Sequence, residues 1–249
     1  MIAIRKFPAS SVLILSALLA VACSRSSLPS ETTVDGATST APSTGAAKQE
    51  QKTLLRFINA TDGPKDLYFQ DAVAFRRVES AAVTSYLALP SPRPDAHHEL
   101  KLYDSASAVG TPLITNSEPE TSGHRYTVLA LRERGKFILT LIPDQLKPPA
   151  AGKARLRLIH AAPGIDKLDI FRAGETTGIF NGQSFGRFTE YKELAPTTTT
   201  LAVRKRGSKT DQIKIKDVKL EPGKLYTIVL LGGEGKPLSA KVIEDELVQ

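Results

Sequence analysis

The sequence predicts an all-β protein built as two tandem sandwich domains. Three observations carry that expectation. The body of the chain is written twice, at an offset of 100 to 105 residues. Its apolar residues recur with the period of two that a half-buried strand requires. Turn-forming pairs separate the apolar runs, and large helices are not expected.

The repeat comes first, because it decides the architecture. Leu55-Arg56-Phe57-Ile58-Asn59-Ala60 matches Leu156-Arg157-Leu158-Ile159-His160-Ala161. Asp66-Leu67-Tyr68 matches Asp169-Ile170-Phe171, and Val83-Thr84-Ser85-Tyr86 matches Phe188-Thr189-Glu190-Tyr191. Arg125-Tyr126-Thr127-Val128 matches Leu225-Tyr226-Thr227-Ile228, and Ile142-Pro143-Asp144 matches Ile243-Glu244-Asp245. A period this long is a whole domain, not a solenoid unit. The domains therefore run over residues 52–146 and 153–249, joined by a linker, 147–152, that contains two prolines. Each is expected to hold its own strand set, so residues 153–249 are expected to fold alone.

Within each unit the strands follow from alternation. Leu156, Leu158 and His160 alternate with Arg157 and Ile159, and Leu100 and Leu102 alternate with Glu99, Lys101 and Tyr103. Leu201 and Val203 alternate with Ala202 and Arg204. Tyr226-Thr227-Ile228-Val229-Leu230-Leu231 is a continuous run, as in a central strand. Turn signals sit at Asp62-Gly63-Pro64, Gly207-Ser208, Pro222-Gly223 and Gly232-Gly233. Ala72 to Ala82 has some helical character, but its repeat partner, GIFNGQSFGR, does not, so both are read as strand-like or irregular. About seven short strands per unit suggest an immunoglobulin-like sandwich.

Residues 1–22 read as a signal peptide. Arg5 and Lys6 precede the apolar run VLILSALLAVA, which is shorter than the roughly 20 residues of a spanning helix. Ala20-Val21-Ala22 is followed at once by Cys23, the only cysteine of the chain. That arrangement resembles the lipobox of bacterial lipoproteins. The resemblance implies that the Cys23 sulfur takes a diacylglyceryl group, and that cleavage leaves a lipidated N-terminus carrying fatty acid such as palmitate. Ser24 after the cysteine implies the outer membrane of a Gram-negative cell. Two or more acyl chains anchor a protein stably where one does not. The alternative is an ordinary secretory signal with a chance cysteine, but an unpaired thiol in an oxidising compartment needs a reason. Residues 23–51 follow as a tether. Of the 28 residues from Ser24 to Gln51, 19 are Ser, Thr, Ala, Gly or Pro, a composition expected to be disordered. As a coil it spans about 30 Å.

The body also resembles a bacterial domain-of-unknown-function family of secreted and surface proteins. The stretches that carry the likeness are LRLIHAAPGIDKLDIF, SFGRFTEYKELAP and LEPGKLYTIVLLG. The resemblance implies tandem immunoglobulin-like domains. It implies no settled activity, and the first unit departs from it where Asn59-Ala60-Thr61-Asp62 stands for His160-Ala161-Ala162-Pro163.

Few constellations suggest chemistry. Gly182-Gln183-Ser184-Phe185-Gly186 spells the nucleophile elbow of a hydrolase, but the elbow needs a following helix and a later histidine, and His160 is the last. His97 and His98 are adjacent, so in a strand they point to opposite faces and do not chelate one ion. No catalytic residue, metal or cofactor is assigned. His160 is read as a structural histidine. Tyr126 and Tyr226 each follow a glycine by three and resemble the tyrosine corner of sandwich folds. Tyr86 and Tyr191 are read as half-buried anchors, with exposed binding tyrosines as the alternative.

Net charge is +7, from 33 basic and 26 acidic residues, too modest to suggest nucleic acid. The basic residues crowd into one hairpin: Arg204, Lys205, Arg206, Lys209, Lys214, Lys216 and Lys219. Two readings stand. The hairpin is a charged edge that blocks unwanted strand pairing, or it is a contact for anionic envelope material. At Asp217-Val218 the alternation slips by one, which predicts a bulge.

The sequence therefore reads as a lipid-anchored cell-envelope protein acting as a non-catalytic binding or scaffolding module. Its expected partners are the membrane, through the N-terminal lipid, and an envelope glycolipid, polymer or protein. The alternatives are an accessory subunit or enzyme working on envelope polymer, or a structural spacer.

Overall fold

The computed structural model describes residues 52–90, 97–105, 110–119 and 124–247. The signal peptide, Cys23 and the tether lie outside the described residues, as do the side chains of His97 and His98.

Among the described residues sixteen strands form four sheets, eight strands to each copy of the repeat. The first copy holds β1 (Lys52–Ala60), β2 (Lys65–Phe69), β3 (Ala72–Val78), β4 (Leu87–Pro90), β5 (His97–Asp104), β6 (Ile114–Pro119), β7 (Arg125–Glu133) and β8 (Lys136–Pro143). The second holds β9 (Ala154–His160), β10 (Lys167–Arg172), β11 (Gly178–Ser184), β12 (Lys192–Leu194), β13 (Thr197–Lys205), β14 (Asp211–Leu220), β15 (Leu225–Gly233) and β16 (Lys236–Asp245). In each copy two four-stranded sheets face one another: β4-β1-β7-β8 over β3-β2-β5-β6, and β12-β9-β15-β16 over β11-β10-β13-β14. The fold is all-β in two immunoglobulin-like sandwiches, with eight strands each rather than the seven counted from the sequence. β4 and β12, four and three residues long, are too short for alternation to reveal. The stretches of doubtful character became β3 and β11, both strands.

β1 runs parallel to β7, and β9 runs parallel to β15. Each of these four strands is buried on both faces. Leu55, Phe57, Tyr126 and Val128 enter the core of the first sandwich; Leu156, Leu158, Tyr226 and Ile228 enter that of the second. The intervening residues, Ile58, Leu129, Leu131, Ile159, Val229 and Leu231, point the other way and form a third apolar cluster drawn from both copies. The two sandwiches are therefore docked face to face through the outer surfaces of the β1/β7 and β9/β15 sheets. Each aliphatic side chain fully buried in that seam contributes about 1.5–3 kcal/mol.

β14 is an edge strand. Its pairing with β13 shifts register between Thr199 and Leu201, and Asp217 takes a left-handed φ of 54°. This is the bulge that the slipped alternation predicts.

Candidate functional site

The polar residues that the two copies share are engaged in holding the fold together. At the seam, Arg56 donates to Thr127 Oγ1 of its own copy (3.0 Å) and to Asp245 Oδ1 of the other (2.6 Å). Arg157 repeats this, donating to Thr227 Oγ1 (2.8 Å) and to Asp144 Oδ1 across the seam (2.5 Å). Asp144 also accepts from the hydroxyls of Thr127 and Tyr86, both at 2.7 Å. Asp245 accepts from Thr227 (2.5 Å) and Tyr191 (2.8 Å). Each guanidinium stacks on the tyrosine of its own copy, Arg56 on Tyr86 at 4.8 Å and Arg157 on Tyr191 at 4.7 Å. The result is a pseudo-twofold network of two cations and two anions. Both arginines are at most 2% exposed. Burial pushes the Tyr86 and Tyr191 hydroxyls well above the usual range, and the nearby carboxylates push in the same direction. Burial works against the charge of Arg157 more than any single neighbour favours it, but Asp144, Tyr191 and Asp245 together outweigh it and the guanidinium is held more firmly protonated. Tyr86 and Tyr191 are both tied into this network by their hydroxyls and rings.

Other shared positions are equally committed. Asp66 accepts the amide of Arg77 (2.7 Å) and Asp169 that of Gly182 (2.5 Å). Both amides sit at left-handed residues, φ 46° and 64°, next to register shifts in the β2–β3 and β10–β11 pairs. Thr84 and Thr189 accept the amides of Phe57 and Leu158. His160 is fully buried; its Nε2 meets the Ile165 carbonyl at 2.9 Å, and Nδ1 accepts from the Ala162 amide. Burial lowers its pKa to about 4, so it is neutral at physiological pH. Asn59 does the same work in the first copy, bonding the carbonyls of Gly63 and Val78. Tyr226 accepts the Glu221 amide five residues upstream, in the manner of a tyrosine corner, while Tyr126 is buried in the first core. Ser184 ends a strand paired with Lys167, and no helix follows, so the elbow-like motif is not one.

The basic hairpin is β13–β14. Arg204 is held by Asp211 (2.6 Å) and stacks on Phe171; Lys214 lies 3.5 Å from Asp211. Arg206 lies 3.6 Å from Asp169, and Lys219 is 2.5 Å from Glu221. Lys205, Lys209 and Lys216 are exposed. Much of the hairpin's positive charge is therefore balanced locally.

What the shared residues leave over is the place where the copies meet. A cleft of about 270 Å³ opens at the end of the seam where β1, β7, β9 and β15 finish. Thr61, Asp62, Ser80 and Arg132 come from the first copy; Pro163, Glu234, Lys236, Pro237 and Ser239 come from the second. Asp62 is the joint. It accepts from Lys236 of the other copy and lies 3.5 Å from Arg132 of its own. The hydrogen bond from Lys236 holds its carboxyl below the usual carboxylate range; burial opposes it, and the charges of Lys236 and Arg132 add smaller help. Glu234 accepts the Arg134 amide at 3.3 Å, a second bond between the copies. The floor needs glycine. Gly232 and Gly233 have φ of 88° and 85°, and a Cβ on either would meet a carbonyl oxygen, of Pro237 or Pro163, at 2.0 Å. Two shallower hollows, of about 370 and 310 Å³, flank the loop 164–166 at the same end, lined by Arg134, Lys167, Lys205 and Arg206 among others. Among the described residues no group of His, Cys, Asp and Glu could hold a metal ion. Sequence reasoning missed this cleft. Its only signals were the turn pair Gly232-Gly233 and the stretch Asn59-Ala60-Thr61-Asp62, where the copies diverge.

These features define a class: a tandem of β-sandwich domains docked into one body, with a polar cleft between the copies. The chain belongs to the family described as "Domain of unknown function (DUF4397)", whose model matches residues 53–171 and again residues 158–249. No curated protein matches the chain. Among solved structures it is similar to a family 26 carbohydrate-binding module from Eubacterium rectale in complex with maltoheptaose, at 12% identity and a TM-score of 0.26, covering 79% of this chain and 98% of that one. It is also similar to family 41 carbohydrate-binding modules from streptococcal virulence factors, at 12% identity and a TM-score of 0.24, covering 76% and 96%. Scores this low say nothing about ligand.

Proposed function

We propose that the protein is a lipid-anchored component of the cell envelope whose paired sandwiches act as a non-catalytic binding module for envelope material. The observation that carries the binding role is the seam cleft, a polar hollow built by both copies on a rigid frame. The chain enters the fold at Lys52, the opposite end of β1 from the cleft. At about 3.3 Å per residue the nine-residue strand separates the two by roughly 25–30 Å. An N-terminal attachment therefore joins the fold at the end of β1 away from the cleft. The anchor itself rests on Cys23 and the apolar run before it.

The two halves of the reading are tested separately. Cells expressing the wild type and Cys23→Ser are labelled with a fatty-acid analogue; label is expected on the wild type alone, and equal labelling removes the lipoprotein reading. The full chain is then sedimented with isolated envelope. Saturable co-sedimentation is expected, and its absence removes the binding reading in favour of a spacer.

A further inference from the structure

The chemistry of the seam cleft selects among ligands. Its charged groups are already matched. Asp62 is shared between Lys236 and Arg132, and Glu234 completes an equal number of anionic and cationic side chains. An incoming anion meets the like charges of Asp62 and Glu234, and an incoming cation those of Lys236 and Arg132. A neutral ligand bearing hydroxyls breaks neither pair. Each hydroxyl donates to a carboxylate and accepts from an ammonium or guanidinium, groups with bonding capacity beyond one partner.

The rest of the lining fits the same ligand. The Ser80 hydroxyl donates to the Thr61 carbonyl at 2.6 Å, so its oxygen is oriented to accept. Ser239 adds an exposed hydroxyl. Pro237, exposed at the rim, provides rigid apolar surface with no amide donor of its own, suited to the C–H face of a saturated ring. The volume, about 270 Å³, lies just under the range of small-molecule pockets, about 300–1,000 Å³. That is room for a single ring with its substituents.

We infer that the cleft between the two copies binds one neutral, polyhydroxylated ring, a sugar unit of an envelope polymer, with Asp62, Arg132, Lys236 and Glu234 as its hydrogen-bonding groups. This rests on the binding-module reading and makes it specific.

The test uses the full chain and four probes: glucose, N-acetylglucosamine, glucuronate and inorganic phosphate. Binding is followed by chemical-shift changes, beside envelope co-sedimentation. Two variants accompany the wild type. Lys236→Gln removes an exposed cation, and Ser239→Phe fills the cleft from an exposed position; thermal unfolding confirms that both fold. At least one neutral sugar is expected to bind saturably and more tightly than glucuronate or phosphate. Lys236→Gln is expected to weaken it about tenfold, as for loss of a charged hydrogen bond, and Ser239→Phe to abolish it. Tighter binding of either anion overturns the inference, as does a neutral sugar that binds Ser239→Phe as well as it binds the wild type. If no neutral sugar binds while envelope still co-sediments with the wild type, the cleft assignment falls and the binding module stands. If envelope does not co-sediment either, both fall.

Discussion

Asp144→Asn is the sharpest probe of how the two copies are joined. Asp144 accepts three hydrogen bonds, from Arg157 across the seam and from Thr127 and Tyr86 within its own copy. Asparagine keeps the shape but has one acceptor oxygen and an amide that donates. Either the new amide faces the Arg157 donor, or it faces Thr127 and Tyr86 and both hydroxyls lose their acceptor. The substitution also leaves two buried guanidinium groups with one carboxylate, Asp245, between them. Removing one partner of a buried pair typically costs about 3–5 kcal/mol, because the remaining charge is stranded. For a body of this size that lowers the melting midpoint by roughly 6–20 °C. Denaturant unfolding of the full chain measures the loss, and a cycle with Arg157→Met isolates the cross-seam contribution. The two substitutions should be strongly non-additive, since Arg157→Met removes the charge that Asp144→Asn strands. A loss under about 1 kcal/mol, or strict additivity, would refute the argument that these charges hold the copies together.

Three further outcomes are expected. The repeat by itself leads one to expect residues 153–249 to fold alone, but the seam reverses that expectation: the fragment should not fold as a stable monomer, because Ile159, Val229 and Leu231 would lose their cover and Arg157 its counter-charge; cooperative unfolding of a monomeric fragment, by calorimetry and sedimentation, would show that the seam is dispensable. His160, held near pKa 4 against an ordinary 6.5, contributes stability that is complete above pH 6.5 and is lost as pH falls toward 4, about 3 kcal/mol at the lower end; His160→Asn, which copies Asn59, should flatten that part of the pH–stability curve, and an unchanged slope would contradict the assignment. If the β13–β14 hairpin touches anionic envelope, changing Lys214, Lys216 and Lys219 to Gln should weaken co-sedimentation at low salt and remove its salt dependence; equal binding leaves the hairpin a protected sheet edge.

Local pattern carried the strands well and the seam hardly at all. The alternation of Leu156 and Leu158 against Arg157 and Ile159 was legible, and so was the bulge at Asp217, because both depend on neighbours along one strand. Arg157 and Ile159 do face away from the sandwich core, as the pattern says. What the pattern does not say is that this outer face is covered. The continuous apolar run from Tyr226 to Leu231 was the available hint, since a strand buried on one face alternates and a strand buried on both does not. The cover is the other copy, and the contacts that align it join residues far apart, such as Arg56 and Asp245, 189 positions away. Their partnership arises from docking and leaves no local trace. The cleft residues were hidden for the same reason: Asp62 and Lys236 mean little until the seam brings them together.

The position of β1 also has a mechanical consequence. It is not an edge strand; β4 flanks it on one side, and β7 on the other matches it in parallel from Leu54 to Ala60. A pull applied at Lys52 along the strand axis loads those bonds side by side, in shear, instead of opening them one after another from a free edge. Resistance to such a force is set by the rate of crossing the unfolding barrier rather than by equilibrium stability. A chain held by its N-terminus would thus transmit drag or tension straight into a strand paired on both sides, where many hydrogen bonds must yield at once.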